Sequence, residues 1–141
     1  MLDFCYCDQD AGRALEVAHK HLAVNYLSIL KHYEFMADYH KEIKGYAAYR
    51  QAAEFLNSLA LDAAVEDYIA RLACGTAQQI LNTLASRRAV IGHYEWNSIL
   101  GYAGLPFDRV ESSMPLTAQE VLPELRSWDE TEVKPRSAAV A

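Results

Sequence analysis

The sequence predicts a predominantly helical α/β domain built on parallel strands, and three observations carry that expectation. An apolar, strand-compatible run at Phe4–Cys7 ends in acids that can cap a helix. A second strand-like run, His93–Leu100, lies far downstream, with a Gly-rich loop at its carboxyl end. Between the two runs the pattern is helical, so the order is strand, long helical excursion, capped helix, strand, loop, terminal helix. Parallel strands need a connection that returns along the sheet, and a helical excursion is the usual one.

The elements follow in order. Phe4-Cys5-Tyr6-Cys7 is short and apolar, as a strand buried on both faces should be, and either Asp8 or Asp10 can cap the helix that follows. From Ala11 to about Ile43, Leu15, Ala18, Leu22, Tyr26, Ile29, Leu30 and Tyr33 recur at spacings of three and four, which predicts one buried stripe. Lys41 and Lys44 suit the negative end of the helix dipole, and Gly45 is a plausible stop. Two shorter helices are expected at Tyr46–Leu59 and Asp62–Ala73, the second capped by Asp62. Cys74-Gly75-Thr76 punctuates the chain. Thr76 and Gln79 have capping-box spacing, Ile80, Leu81 and Leu84 supply an apolar face, and that helix should end near Gly92. After the loop Gly101–Pro106 come a short helix around Asp108–Ser113, a second capping box at Thr117 and Glu120, and a terminal helix kinked at Pro123. Residues 129–141 are polar and read as a disordered tail.

Composition bounds the function. The 141 residues suit one domain, and 52% hydrophobic residues can bury a core. Thirteen Lys+Arg against nineteen Asp+Glu give a net charge of −6, which argues against nucleic acid as a partner. No apolar run approaches the roughly 20 residues of a membrane span, so no membrane partner is expected. Met1-Leu2-Asp3 does not open a secretory signal, and three cysteines do not make a complete disulfide framework, so a reducing cytoplasm is expected.

Individual constellations say less. Cys5 and Cys7, two apart in a strand, share a face and read as buried thiols rather than metal ligands. Glu16 and His19 have the Glu-x-x-His spacing of di-iron bundles, but no second copy exists, so a solvated helix face is the better reading. Tyr26, His32, Tyr33, Tyr39 and His40 read as an aromatic stripe.

A longer pattern does carry a family resemblance. Gly75-Thr76-Ala77-Gln78-Gln79-Ile80 resembles the "G-T-P-E-Q-V" helix start of the luciferase-like flavin-dependent monooxygenases. Gly101-Tyr102-Ala103-Gly104-Leu105-Pro106 is similar to that family's "Y-G-G-M-P" turn, and Ser112–Pro123 to its closing "S-M-R-L-F-A-E-E-V-M-P" helix. Tyr6–Ala14 resembles its strand-to-helix join, and His32–Phe35 and Lys44–Tyr49 resemble parts of one subgroup's insertion. These pieces run in family order over residues 4 to about 127. Ala77, Ala103, Pro115 and Thr117 depart from the usual Pro, Gly, Arg and Phe.

The resemblance implies a TIM barrel, a fold of about 250 residues. This chain would supply only its C-terminal portion: residues 4–7 as the seventh strand, 95–100 as the eighth, 9–91 as an elaborated crossover and 117–127 as the last outer helix. The expectation is therefore a partial barrel domain over residues 1–128. Its family reaction inserts one oxygen atom of O₂ into an organic substrate with FMN or a deazaflavin. The strands carrying most of the flavin pocket lie outside the match, so no flavin is expected on this chain alone. A companion chain, or self-association, is expected to complete the barrel. Cys7, at a strand's carboxyl end, and Tyr102 and Gly104, in the loop after the last strand, are the candidate pocket rim. Tyr102 and Gly104 read equally as an ordinary turn. The alternative is a non-enzymatic helical binding module with the strand segments at its edges.

Overall fold

A computed structural model describes residues 1–34, 43–45, 47–58 and 60–132. The elements are β1 (Leu2–Cys7), α1 (Ala11–His32), α2 (Ala47–Ser58), α3 (Leu61–Ala70), β2 (Ala73–Gly75), α4 (Ala77–Ile91), β3 (Asn97–Ile99), α5 (Phe107–Leu116) and α6 (Leu122–Glu132), with a π-helical turn at Thr117–Val121 joining the last two. The protein is thus mostly helical around a small parallel sheet.

Among the described residues the sheet has three strands, not two, in the order β2-β1-β3. β1 pairs in parallel with β3 through Leu2–Asn97, Asp3–Ser98 and Phe4–Ile99, and with β2 through Cys5–Ala73, Tyr6–Cys74 and Cys7–Gly75. The segment expected to end a helix and turn therefore ends the helix at Ala70 and continues as an edge strand. Three residues carry too little pattern to announce a strand; pairing with β1 makes it one. Both edge strands are only three residues long, which limits their exposed backbone.

Alternation along β1 sorts its side chains to two faces. Tyr6, with Phe4 packed beside it, joins Ala14, Val17, Ala18 and Leu22 of α1, Val65 and Ile69 of α3, and Tyr102 and Leu105 of the last loop. Cys5 and Cys7 face the other way, onto Ala73, Ile80 and Leu84 of α4, and Val121. Helices cover both faces. α1 and α3 close one face, and α4 with the terminal helices closes the other.

Local chemistry explains several boundaries. Asp10 caps α1, its Oδ1 accepting the Arg13 N–H at 2.7 Å. The helix ends at His32, short of the expected Ile43: Tyr33 is its C-cap and Glu34 takes φ +52. Residues 35–42, including Tyr39 and His40, lie outside the described residues. The buried stripe of α1 is Ala14, Val17, Ala18, Leu22 and Leu30, and Leu15, expected in it, is exposed. Leu15 instead borders the cavity beside β2, between α1, α3 and α4. α3 starts without a side-chain cap, and Asp62 sits in its first turn. α4 carries the expected capping box. Gln79 N–H donates to Thr76 Oγ1, Thr76 N–H donates to Gln79 Oε1 at 2.9 Å, and Gly92 ends the helix at φ +77. The second capping box does not form. Thr117 is already helical, and its hydroxyl donates to the Ser113 carbonyl at 3.0 Å. Pro115 and Pro123 bracket the π-helical turn; each lacks an N–H, and the wider turn accommodates the interrupted ladder.

Among the described residues, no helix is long and apolar enough to cross a membrane.

Candidate functional site

In parallel α/β proteins the loops at the carboxyl ends of the strands are the usual place for a site. Here that end is built by Cys7–Asp10 after β1, Thr76 after β2 and residues 100–106 after β3. Its centre is Asp8, a buried carboxylate. Arg13, one turn into α1, grips it with both ends of the guanidinium: Nε to Oδ2 at 2.8 Å and Nη2 to Oδ1 at 2.5 Å. The Asp10 N–H donates to Oδ1 at 3.0 Å, and the Tyr6 hydroxyl donates to Oδ2 at 3.2 Å. Hydrogen bonding to Arg13 outweighs desolvation and lowers the Asp8 pKa from 3.8 to about 2. Burial, then the Asp8 charge, raises the pKa of Tyr6. The cluster is an ionised acid locked in place, a device for fixing the β1–α1 join.

The three residues expected at a pocket rim sit apart. Cys7 is buried on the α4 face, its N–H donating to Ser113 Oγ at 2.8 Å. Tyr102 is buried on the α1 face; its ring lies 4.9 Å from that of Phe4 and its hydroxyl 4.0 Å from Cys74 Sγ. The sheet separates the two. Gly104 lies on the surface in a turn closed by the Leu105 N–H donating to the Tyr102 carbonyl at 2.8 Å. Ala103 (φ +47) and Gly104 (φ +70) both take left-handed conformations in that turn, and His21 Nδ1 lies 3.1 Å from the Ala103 carbonyl.

Burial pushes all three thiols up, Cys7 to about 11 and Cys74 to about 12, with Cys5 shifted furthest. Such thiols are poor nucleophiles at neutral pH. Tyr102 is likewise raised by burial, then by Cys74. His19 Nε2 lies 3.2 Å from Glu66 Oε2 on α3 rather than working with Glu16. Among the described residues no three His, Cys, Asp or Glu side chains are grouped to hold a metal ion.

A cavity of about 550 Å³ runs beside β2, between the start of α1 (Ala11, Gly12), α3 (Glu66, Ile69) and the start of α4 (Gln79). The two helix starts that open on it are already capped, by Asp10 and by the Thr76–Gln79 box. Gly75 is required there: at φ +150, an added Cβ would come within 2.7 Å of Gln79 Oε1. At these helix starts the caps engage the amides of Arg13, Thr76 and Gln79, and the Arg13 guanidinium is held by Asp8.

The Asp8–Arg13 cluster was not singled out by pattern. Asp8 read as a possible cap, and its partner five residues on has no motif. A second cavity is lined by both Trp96 and Trp128, residues 32 positions apart that carry no local signal.

Comparison of the chain with protein-family models, with curated proteins and with solved structures finds no match.

Proposed function

We propose that the chain is the C-terminal portion of a luciferase-like flavin-dependent monooxygenase, inactive alone, which works when the remaining barrel strands are supplied. The complete enzyme would use FMN or a deazaflavin to insert one oxygen atom of O₂ into an organic substrate. The observation that supports this reading most is the parallel pairing of β1 with β3. The resemblance makes these segments the seventh and eighth strands, and neighbouring barrel strands must pair this way. The capping box at Thr76 and Gln79, formed at the segment resembling the family's helix start, agrees with it.

The reading has a structural consequence. In a closed barrel the sixth strand borders the seventh on the side away from the eighth. Here β2 holds that edge through Cys5–Ala73, Tyr6–Cys74 and Cys7–Gly75. Closing the barrel therefore means replacing these three pairs, with the front strands taking the edge that β2 now occupies.

The test is to sequence the DNA upstream for six further strand–helix units, in either frame, and to express them joined to this chain. The joined protein is expected to bind FMN or a deazaflavin and to oxidise substrate with O₂ and a reductase, while the isolated chain does neither. Turnover by the isolated chain, upstream DNA without such units, or a folded joined protein that binds neither flavin would overturn the reading.

A further inference from the structure

We infer that the outer edge of β2 is a docking site for an extended peptide, which adds to the sheet as a further strand; this goes beyond the proposed enzyme and does not rest on it. Among the described residues β2 has β1 on one side and no strand on the other. Its middle residue carries the open edge. The Gly75 carbonyl accepts the Asp8 N–H at 3.0 Å, so Gly75 turns its polar backbone groups toward β1. Successive residues of a strand aim those groups to opposite sides, and Cys74 therefore presents its N–H and C=O outward. An edge of this kind is a template for another backbone.

The cavity of about 550 Å³ lies along that edge, with Cys74 and Gly75 in its lining. Its two walls belong to helices on opposite faces of the sheet. On one side α1, α3 and the turn after α3 supply Leu15, Ala18, Ile69 and Leu72, an apolar wall. On the other, α4 supplies Gln79, Asn82 and Thr83, a polar one. Glu66 of α3 also borders the cavity; it is exposed, with its Oε2 3.2 Å from His19 Nε2.

The two walls choose the peptide. A strand alternates its side chains between two faces. One laid beside β2 turns every second side chain to the apolar wall and the others to α4. Gln79 Oε1 already accepts the Thr76 N–H, and Asn82 Oδ1 accepts from Gln78 Nε2. Both side chains are exposed, and their amide nitrogens have no acceptor among the described residues, so the α4 wall offers donors. The matching occupant is an uncharged strand in which small apolar residues alternate with hydroxyl residues. The β2 edge of a second copy does not match: it is recessed between the same helices, and two recessed edges do not meet.

The test uses the full chain and the peptide acetyl-Thr-Val-Thr-Val-Thr-amide, read by the Cys74 backbone amide signal in an NMR spectrum of the isotope-labelled chain. That signal is expected to shift saturably, with Kd on the order of 1 mM. Two further peptides, N-methylated at the valines or at the threonines, keep every side chain. Only alternate N–H groups of a strand face its neighbour, so one of the two should bind about tenfold more weakly and the other should not. A peptide of the same residues with its valines adjacent should bind about threefold more weakly. Leu15→Lys removes part of the apolar wall and should weaken binding about fivefold; Leu15 is 54% exposed, so the variant keeps the fold. No saturable Cys74 shift at millimolar peptide, equal binding of the two N-methylated peptides, or binding unchanged by Leu15→Lys would overturn the proposal. So would a Cys74 shift that follows protein concentration without peptide, which would assign the edge to a second copy. None of these outcomes touches the monooxygenase reading, which rests on the pairing of β1 with β3.

Discussion

The sheet and α2 make an instructive pair. Of the helices, α2 has the sharpest separation of apolar from polar residues, yet Ala53 is its one contribution to the buried core among the described residues, and Phe55 is 52% exposed. α4 is far less amphipathic, yet it buries Ile80 and Leu84 almost completely. Among the described side chains, then, amphipathicity by itself does not rank burial: Phe55 is exposed and Leu84 is not. α4 has the sheet beneath it.

The largest expected effect lies at a charge buried on the sheet side. Asp3 of β1 is 5% exposed and pairs with Arg87 of α4, which also donates to the Arg71 carbonyl. Arg87→Met should strip that carboxylate of its partner and destabilise by about 3–5 kcal/mol in urea unfolding. Adding Asp3→Asn should recover most of the loss; a single-variant loss below about 1 kcal/mol would mean the pair is not buried in solution.

Next comes the packing contrast itself. Leu84→Ala should cost about 2–5 kcal/mol, because it opens a cavity beneath α4. Urea midpoints measure this, and an effect no larger than that of a surface variant would undo the distinction between the two regions.

The Asp8–Arg13 pair makes the contrast pH-dependent. The folded-state pKa of Asp8, about 2, lies below its ordinary 3.8. The stabilisation is therefore complete above about pH 4 and fades as pH falls toward 2. It amounts to about 1–2 kcal/mol, since Arg13 is half-exposed and partly screened by water. The stability gap between wild type and Asp8→Asn should narrow across that window; a gap unchanged from pH 5 to pH 2 would contradict it.

Thr76→Ala removes the α4 cap and should cost about 1 kcal/mol by thermal melting. The smallest effect closes the comparison: Phe55→Ala on α2 should shift stability by less than about 0.5 kcal/mol. A loss as large as that of Leu84→Ala would show that Phe55 is buried in solution.

Much of the architecture was legible. The first strand, the cap of α4, its stop at Gly92 and the helical share of the chain all follow from spacing, cap chemistry and glycine geometry, which act over a few residues. The Thr117–Glu120 spacing is ambiguous, because the same residue types serve inside a helix, where a hydroxyl donates to the carbonyl one turn back. The candidate site was less legible. Cys7 and Tyr102 each follow a strand, but which face a side chain takes depends on register and on the path of the loop, and these set the two on opposite sides of the sheet.

By itself, then, the sequence determined that the chain is mostly helical, that its strands run parallel, and that Cys5 and Cys7 are buried. Only the tertiary structure decided that Ala73–Gly75 is a strand, that α1 buries one arc and exposes Leu15, and that Trp96 and Trp128 share a cavity. Local hydrogen bonding and side-chain spacing are written within a turn or two of the chain. Pairing and packing are settled by residues tens of positions away, whose contribution exists only once the chain has folded.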